Sequence, residues 1–291
     1  MKIGIDIGGS HIAIGVVDSN GRIVEKIEKS WTNNEKKDIK KSIEEYIKEN
    51  YRSLDKKYSI EMLGMSIPGN SKDGVILTSG NLGVKDYNIT NKLQEEIEVP
   101  ITIRNDAKCA AIAENTYGCL KEYSNSIFLT LGTGIGGAAF LDNRLLKGGK
   151  RTGYEFGHII IEKNGIPCIC GKKGCFERYA SMKVFKTNLR NELGLNEETR
   201  GEELLAIICN NKPDNENYEL IENVIEEYIE NLSIGIINLI EIFEPEIIGI
   251  GGSFVHFEDI LLERLKQKIN RDVMIQTAVL GNDAGIIGAT L

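Results

Sequence analysis

Residues 5–24 read IDIGGSHIAIGVVDSNGRIV, and residues 129–146 read LTLGTGIGGAAFLDNRLL. In the first stretch Lys2–Ile7 and His11–Asp18 alternate apolar with small or polar residues, the pattern of half-buried strands. Asn20-Gly21 then supplies a hairpin turn into Ile23–Ile27. In the second, Ile127–Leu131, the loop GTGIGG, Ala138–Leu141, Asp142-Asn143 and Arg144–Leu146 repeat strand, glycine turn, strand, turn, strand. Aligning Gly8 with Gly132 superposes the two with a small gap at an offset of 124 residues. That spacing is far too long for a solenoid repeat and predicts one duplicated lobe facing another.

The sequence outside these stretches predicts strands alternating with helices. Ile39, Ile43, Tyr46, Ile47 and Tyr51 recur at helical spacing with charges opposite. Ile60–Ile67 is a buried strand ending at Pro68-Gly69, and Gly74–Thr78 a shorter one leading into a polar loop. Ile101–Arg104 is a strand, and the Ala-rich segment after Asn105 is a helix ending at Gly118. A long helix from about Asn217 to Phe243, a strand Ile247–Ile250, Gly251-Gly252, a further helix, a strand near Val273–Ile275 and a Gly/Ala-rich terminal helix complete the chain. This alternation predicts an α/β fold with mixed sheets. We expect a smaller N-terminal lobe at residues 1–117, with residues 282–291 packing back on it, and a larger lobe at 118–281.

Composition narrows the function. A chain of 291 residues exceeds what one hydrophobic core usually spans. Its 31 glycines and 5 prolines favour tight turns over Pro-rich linkers, and no apolar run reaches membrane-spanning length. The N-terminus lacks a signal-peptide apolar core, because Asp6 and the glycines interrupt it, which points to the cytoplasm. A net charge of -8 speaks against nucleic-acid or membrane-surface partners, which clustered Lys and Arg would hold. Small phosphate ligands stay open, since backbone N–H groups bind them locally.

Four features carry chemistry. The turns IGGSHIA and LGTGIGGAA can cradle phosphate through successive N–H groups, with Ser10 or Thr133 adding a hydroxyl; the plain alternative is a pair of ordinary hairpins. Gly132, Gly134 and Gly137 have dinucleotide-fingerprint spacing, but a strand follows them where that fingerprint needs a helix. Asp6, two residues before the first glycine pair, implies Mg²⁺ between it and a phosphate, unless it only faces solvent at a strand edge. Asp106 follows a strand and opens a helix, placed either as a general base or as a helix N-cap. Finally, His158, Cys168, Cys170 and Cys175 form a Cys₃His set suited to tetrahedral Zn²⁺, with Gly171 and Gly174 easing the turn; the alternative is three buried thiols and a surface histidine. Cys109, Cys119 and Cys209 read as small core residues.

Together IDIGGS, SIPG, the NDA segment, LGTGIGG, and EFGH followed by CICGKKGCFE resemble the ROK family of sugar kinases, within the actin/hexokinase/Hsp70 ATPase superfamily. The resemblance runs from Ile3 to the terminal AGIIGA and is most specific from Glu155 to Glu177. It implies a two-lobed ribonuclease H-like fold with an interlobe cleft, and transfer of the γ-phosphate of ATP to the 6-hydroxyl of a hexose, glucose first. N-acetylmannosamine, allose, fructose and glucosides fit the same set of contacts. It further implies that Asp6, Gly8, Gly9, Ser10, Gly132, Thr133, Gly134, Gly136 and Gly137 hold Mg²⁺-ATP, with Gly251 and Gly252 near the adenosine. Asp106 would be the base. Gly69, Asn81, Asn105, Asp106, Glu155, His158 and Glu177 would line the sugar, with His158 also on a structural zinc. A homodimer or homotetramer is implied too. His11 stands where many members carry Lys, and Tyr154 where a small residue is commoner. Sugar-responsive transcription regulators share the family. They carry an N-terminal helix-turn-helix, for which a first strand at Lys2 leaves no room.

Overall fold

A computed structural model describes residues 1–148 and 154–291, so residues 149–153 lie outside the described residues. Two compact units form: one from residues 1–121, 147–148 and 279–291, the other from 122–146 and 154–278.

In the first unit β1 (Lys2–Ile7), β2 (His11–Val17) and β3 (Ile23–Ser30) are followed by α1 (Asn33–Lys37) and α2 (Ile39–Tyr58). Next come β4 (Met62–Ile67), β5 (Asn70–Lys72), β6 (Val75–Ser79), β7 (Val84–Tyr87), α3 (Ile89–Gln94), β8 (Ile101–Asn105) and α4 (Asp106–Tyr117). The main sheet has the order β3-β2-β1-β4-β8; β1 runs antiparallel to β2 and parallel to β4. Alternation sorts its faces. Ile3, Ile5, Ile7, Leu63, Met65 and Ile67 join Ile43, Ile47, Tyr51 and Leu54 of α2 in one core. Gly4, Gly64 and Asp6 look the other way, toward the C-terminal segment Ala284–Ala289. There the missing side chains of Gly4 and Gly64 admit the backbone carbonyls of Ile286 and Ala289.

The second unit repeats this order. β9 (Ser126–Leu131), β10 (Ile135–Leu141) and β11 (Arg144–Leu145) precede a 3₁₀ turn at Phe156–His158, then α5 (Glu177–Ala180), α6 (Met182–Glu192), α7 (Gly201–Cys209) and α8 (Tyr218–Phe243). β12 (Ile247–Gly252), α9 (Glu258–Ile269) and β13 (Met274–Thr277) follow, and α10 (Ala284–Ala289) belongs to the first unit. The sheet order is β11-β10-β9-β12-β13, again antiparallel, antiparallel, parallel, parallel. The duplication read from the two glycine turns is therefore a duplication of topology. The core lies where Ile225, Ile229, Leu232 and Ile236 of α8 meet Ile127, Leu129, Ile248 and Ile250.

Several expected boundaries move. Only Gly132–Gly134 form the second glycine turn, because β10 already begins at Ile135, where Gly136 and Gly137 pair with Thr130 and Leu129. The polar loop after β6 contains β7 and α3, elements too short for periodicity to reveal, α3 being started by Asn88, whose Oδ1 accepts from Asn91 N. The first hairpin turn spans Asp18–Arg22, its Asp18 Oδ1 accepting from both Asn20 N and Arg22 N at 2.9 Å. Asp142 and Asn143 make a two-residue turn with φ of 51° and 59°, the type that matches strand twist.

Candidate active site

In the first unit the glycine turn Gly8–Ser10 is closed by Gly8 N donating to His11 O at 2.8 Å. Trp31 braces it from behind, donating its backbone N–H to Ser10 O and its Nε1–H to Gly8 O. The Asn81 carbonyl sits over Gly9, so close that a Cβ there would come within 2.7 Å of it. His11 is exposed, its Nδ1 3.2 Å from Ser10 Oγ.

Asp6 and Ser66 are paired across β1 and β4, and Ser66 Oγ donates to Asp6 Oδ1 at 2.6 Å. The alternative of a solvent-facing Asp6 at a strand edge fails, since β1 is the central strand and the side chain is half-buried against Ser66; burial raises its pKa against the opposing pull of Ser66, His11 and Lys26. Asn105, not Asp106, is the N-cap of α4: its Oδ1 accepts from Lys108 N while its Nδ2 donates to Gly69 O and to Asp106 Oδ1. Asp106 is thereby the first helical residue, with Oδ1 held also by Ala107 N at 2.8 Å. Solvent reaches the side chain, yet protein crowds its carboxyl on most sides. That desolvation pushes the pKa up to about 6, and the nearby Asp6 charge adds to it, against the hydrogen bonds from Ala107 and Asn105. A carboxyl whose ionisation is made costlier by a neighbouring carboxyl suits a hard divalent cation with oxygen ligands.

In the second unit Gly132 N donates to Gly134 O, closing the other glycine turn. Glu177, at the start of α5, reaches this turn: its Oε2 accepts from Ile135 N at 3.0 Å, and only the missing side chain of Gly134 leaves room for it. Gly252 ends β12 with φ of 75°, and a Cβ there would lie 2.6 Å from Leu131 O. The two glycine motifs of this unit thus share one sheet edge. Glu155 precedes the Phe156–His158 turn with an exposed side chain, its carbonyl accepting from His158 N.

The ligand atoms of His158, Cys168, Cys170 and Cys175 lie within 4.8 Å of one another. Cys170 and Cys175 sulfurs are 3.5 Å apart, and Cys168 Sγ is 3.6 Å from His158 Nδ1. Tetrahedral Zn²⁺ with Zn–S near 2.3 Å would place its sulfurs about 3.8 Å apart, so the donor set fits. Positive φ at Gly171 (88°) and Gly174 (74°) folds the knuckle, which Cys168 N closes onto Lys172 O at 2.8 Å. With Nδ1 turned to the thiols, Nε2 of His158 is left for another partner. Cys109 is buried as expected, whereas Cys119 is half-buried and Cys209 exposed, so neither is a core residue.

Each glycine turn therefore shares its unit with a group of candidate polar residues, and comparison with known proteins gives these groups a context. A model of the ROK family matches residues 2–291. The chain belongs to the ROK family. A glucokinase of Halalkalibacterium halodurans is 29% identical, over 98% of this chain and 92% of its own. Among solved structures, a ROK hexokinase from Thermus thermophilus matches with a TM-score of 0.81 at 28% identity, covering 100% of this chain and 96% of that one. The fold is also that of a ROK glucokinase from Streptomyces griseus solved with glucose and AMPPNP, at a TM-score of 0.80 and 24% identity, covering 99% of this chain and 97% of that one.

Two departures of this ROK chain are visible. His11 puts a ring beside Ser10 at the first glycine turn. Tyr154 stacks on Phe156 with centroids 6.4 Å apart and meets Phe243 edge-on, forming an aromatic corner just ahead of His158. No sequence motif assigns a role to Ser66 or Trp31. Ser66 was legible in principle, since alternation along β4 puts it with Gly64 on the face of Asp6; nothing local marks Trp31.

Proposed function

We propose that this chain is an ATP-dependent hexose kinase, a phosphotransferase with a sugar hydroxyl as acceptor and glucose as the first candidate. The observation that carries the reading is Asp106: reachable by substrate, fixed by Ala107 N and Asn105 Nδ2, and with a pKa raised to about 6. Such a carboxylate is ionised at neutral pH and still basic enough to take a proton in the transition state. The relatives named above support the nucleotide and the sugar.

In this reading Asp106 accepts the proton of the sugar 6-hydroxyl as its oxygen attacks the γ-phosphorus of ATP, and ADP leaves. Asp6 would hold Mg²⁺, and the ion would supply positive charge against the phosphate oxygens. The turns Gly8–Ser10 and Gly132–Gly134 offer N–H groups to phosphate, and Gly251-Gly252 lies beside adenosine. Gly136 and Gly137 support the second turn from within β10. The proposed sugar contacts are Gly69, Asn81 and Asn105 of the first unit and Glu155, His158 and Glu177 of the second, with His158 donating from Nε2. A Zn²⁺ on His158 Nδ1 and the three cysteines fixes that ring without entering the chemistry. We further propose a cytoplasmic enzyme that assembles as a homodimer or homotetramer. Among the described residues no helix is long and apolar enough to cross a membrane.

The test is ADP release, coupled to NADH oxidation, over a panel of glucose, N-acetylmannosamine, allose, fructose and a β-glucoside with Mg²⁺-ATP. The reading expects the highest kcat/KM with glucose. A preference for another sugar of the panel would correct the substrate, and sugar binding without ADP release would replace the kinase by a sugar-responsive regulator.

A further inference from the structure

Lys186 lies on α6, and no role in sugar binding or proton transfer accounts for it. Its ammonium is half-buried above the Phe257 ring, 5.4 Å from the centroid, and its hydrogen-bond partner is Ser253 Oγ at 3.3 Å. Among the described residues no carboxylate forms an ion pair with it. The charge that does act on it is Arg190, of like sign, whose own guanidinium is spent on Thr199 O. Burial and Arg190 together lower the lysine's pKa. A cation held this way, over an aromatic face and beside another cation, gains most from an anion.

Its position says which anion. Ser253 directly follows Gly251-Gly252, and the next residue, Phe254, donates its N–H to Leu131 O at the start of the second glycine turn. α6 is tied to the same turn, since Lys183 N donates to Gly132 O at 3.1 Å. Lys186 therefore stands one helical turn along from the residue that contacts the phosphate-type turn, while touching the residue after the adenosine-type glycines.

We infer that Lys186 is a nucleotide-binding residue that pairs with a phosphate of the bound adenine nucleotide. This rests on the kinase reading given above. The ammonium supplies a charge-assisted hydrogen bond that backbone N–H groups cannot match, and Ser253 steers it. Arg at this position would keep the charge, with a bulkier head near Ser253.

Calorimetric titration of the whole protein with ADP and with adenosine tests the assignment. Wild type must bind ADP; failure there would overturn the kinase reading itself. For Lys186→Met, which keeps the packing over Phe257, the inference expects an ADP Kd about tenfold or more weaker. It also expects adenosine and glucose affinities within about twofold of wild type. Lys186→Arg should recover most of the ADP affinity. Unchanged ADP affinity in the Met variant would overturn the inference, as would equal losses for ADP and adenosine, which would mark a structural or ribose contact. A Met variant that fails to fold leaves the Arg variant and Lys186→Gln to give the same two-ligand comparison.

Discussion

Asp106 is the residue on which chemistry and stability pull in opposite directions. A folded-state pKa of about 6 against an ordinary carboxylate value near 3.8 means the folded protein holds this proton more tightly than the unfolded chain. The sign follows: stability falls as pH rises from about 4 to 6, and above that window the ionised carboxylate is a constant cost. Asp106→Asn removes the charge, so it should raise Tm by about 2 °C at pH 8 and leave it nearly unchanged below pH 4, read by differential scanning calorimetry. Turnover moves the other way. kcat in the wild type should climb through pH 6 and level off, and Asp106→Asn should lower it by roughly 10²-fold or more with glucose affinity retained. Near-normal turnover in that variant would take the proton-accepting role away from Asp106. Sequence spacing put an acid at the end of β8, but its separation from the capping role could not be read there. That required Asn105 Oδ1 on Lys108 N, which frees Asp106 from the capping role.

At the scale of elements, the Cys₃His knuckle and the α4 terminus make the clearest forecasts. Cys170→Ser should lose about one zinc per chain in elemental analysis and lower both Tm and sugar affinity, because the knuckle joins His158 to Glu177. Zinc-free protein with full activity would contradict it. Glu114, fully buried on α4, was invisible to sequence reasoning. Its carboxylate accepts from Cys119 N at 2.9 Å, Val279 N at 3.0 Å and Leu280 N at 2.8 Å, fastening the end of α4 to the segment that leads into α10. Glu114→Ala would remove the buried acceptor of three N–H groups and should cost about 2 kcal/mol or more in urea unfolding. A loss under 1 kcal/mol would mean water replaces the carboxylate. The helices α2 and α8 were legible because one face of each is buried, and β1 and β2, buried on both faces, because apolar residues alternate there with small or polar ones. Residues 177–216, which fold into α5, α6 and α7, received no assignment, and α5 has only four residues, set by the packing of Glu177 and Phe176 rather than by its own periodicity.

At the scale of the whole molecule, the repeated sheet order ties the two glycine turns to corresponding places, each between the first two strands of its sheet. That correspondence was readable from the offset between Gly8 and Gly132, because both turns need small residues in the same order. What each turn serves was not readable from glycine alone. It depends on Asp6 beside the first and on Glu177 and Lys186 near the second. The central claim, that this ROK chain moves a phosphoryl group from ATP to a hexose 6-hydroxyl, is tested most directly by phosphorus NMR of the protein with glucose, ATP and Mg²⁺. The account predicts glucose 6-phosphate and ADP appearing one for one, and neither over the same interval with Asp106→Asn. ATP left intact with every sugar of the panel, or ADP formed alongside free phosphate and no sugar phosphate, would contradict it.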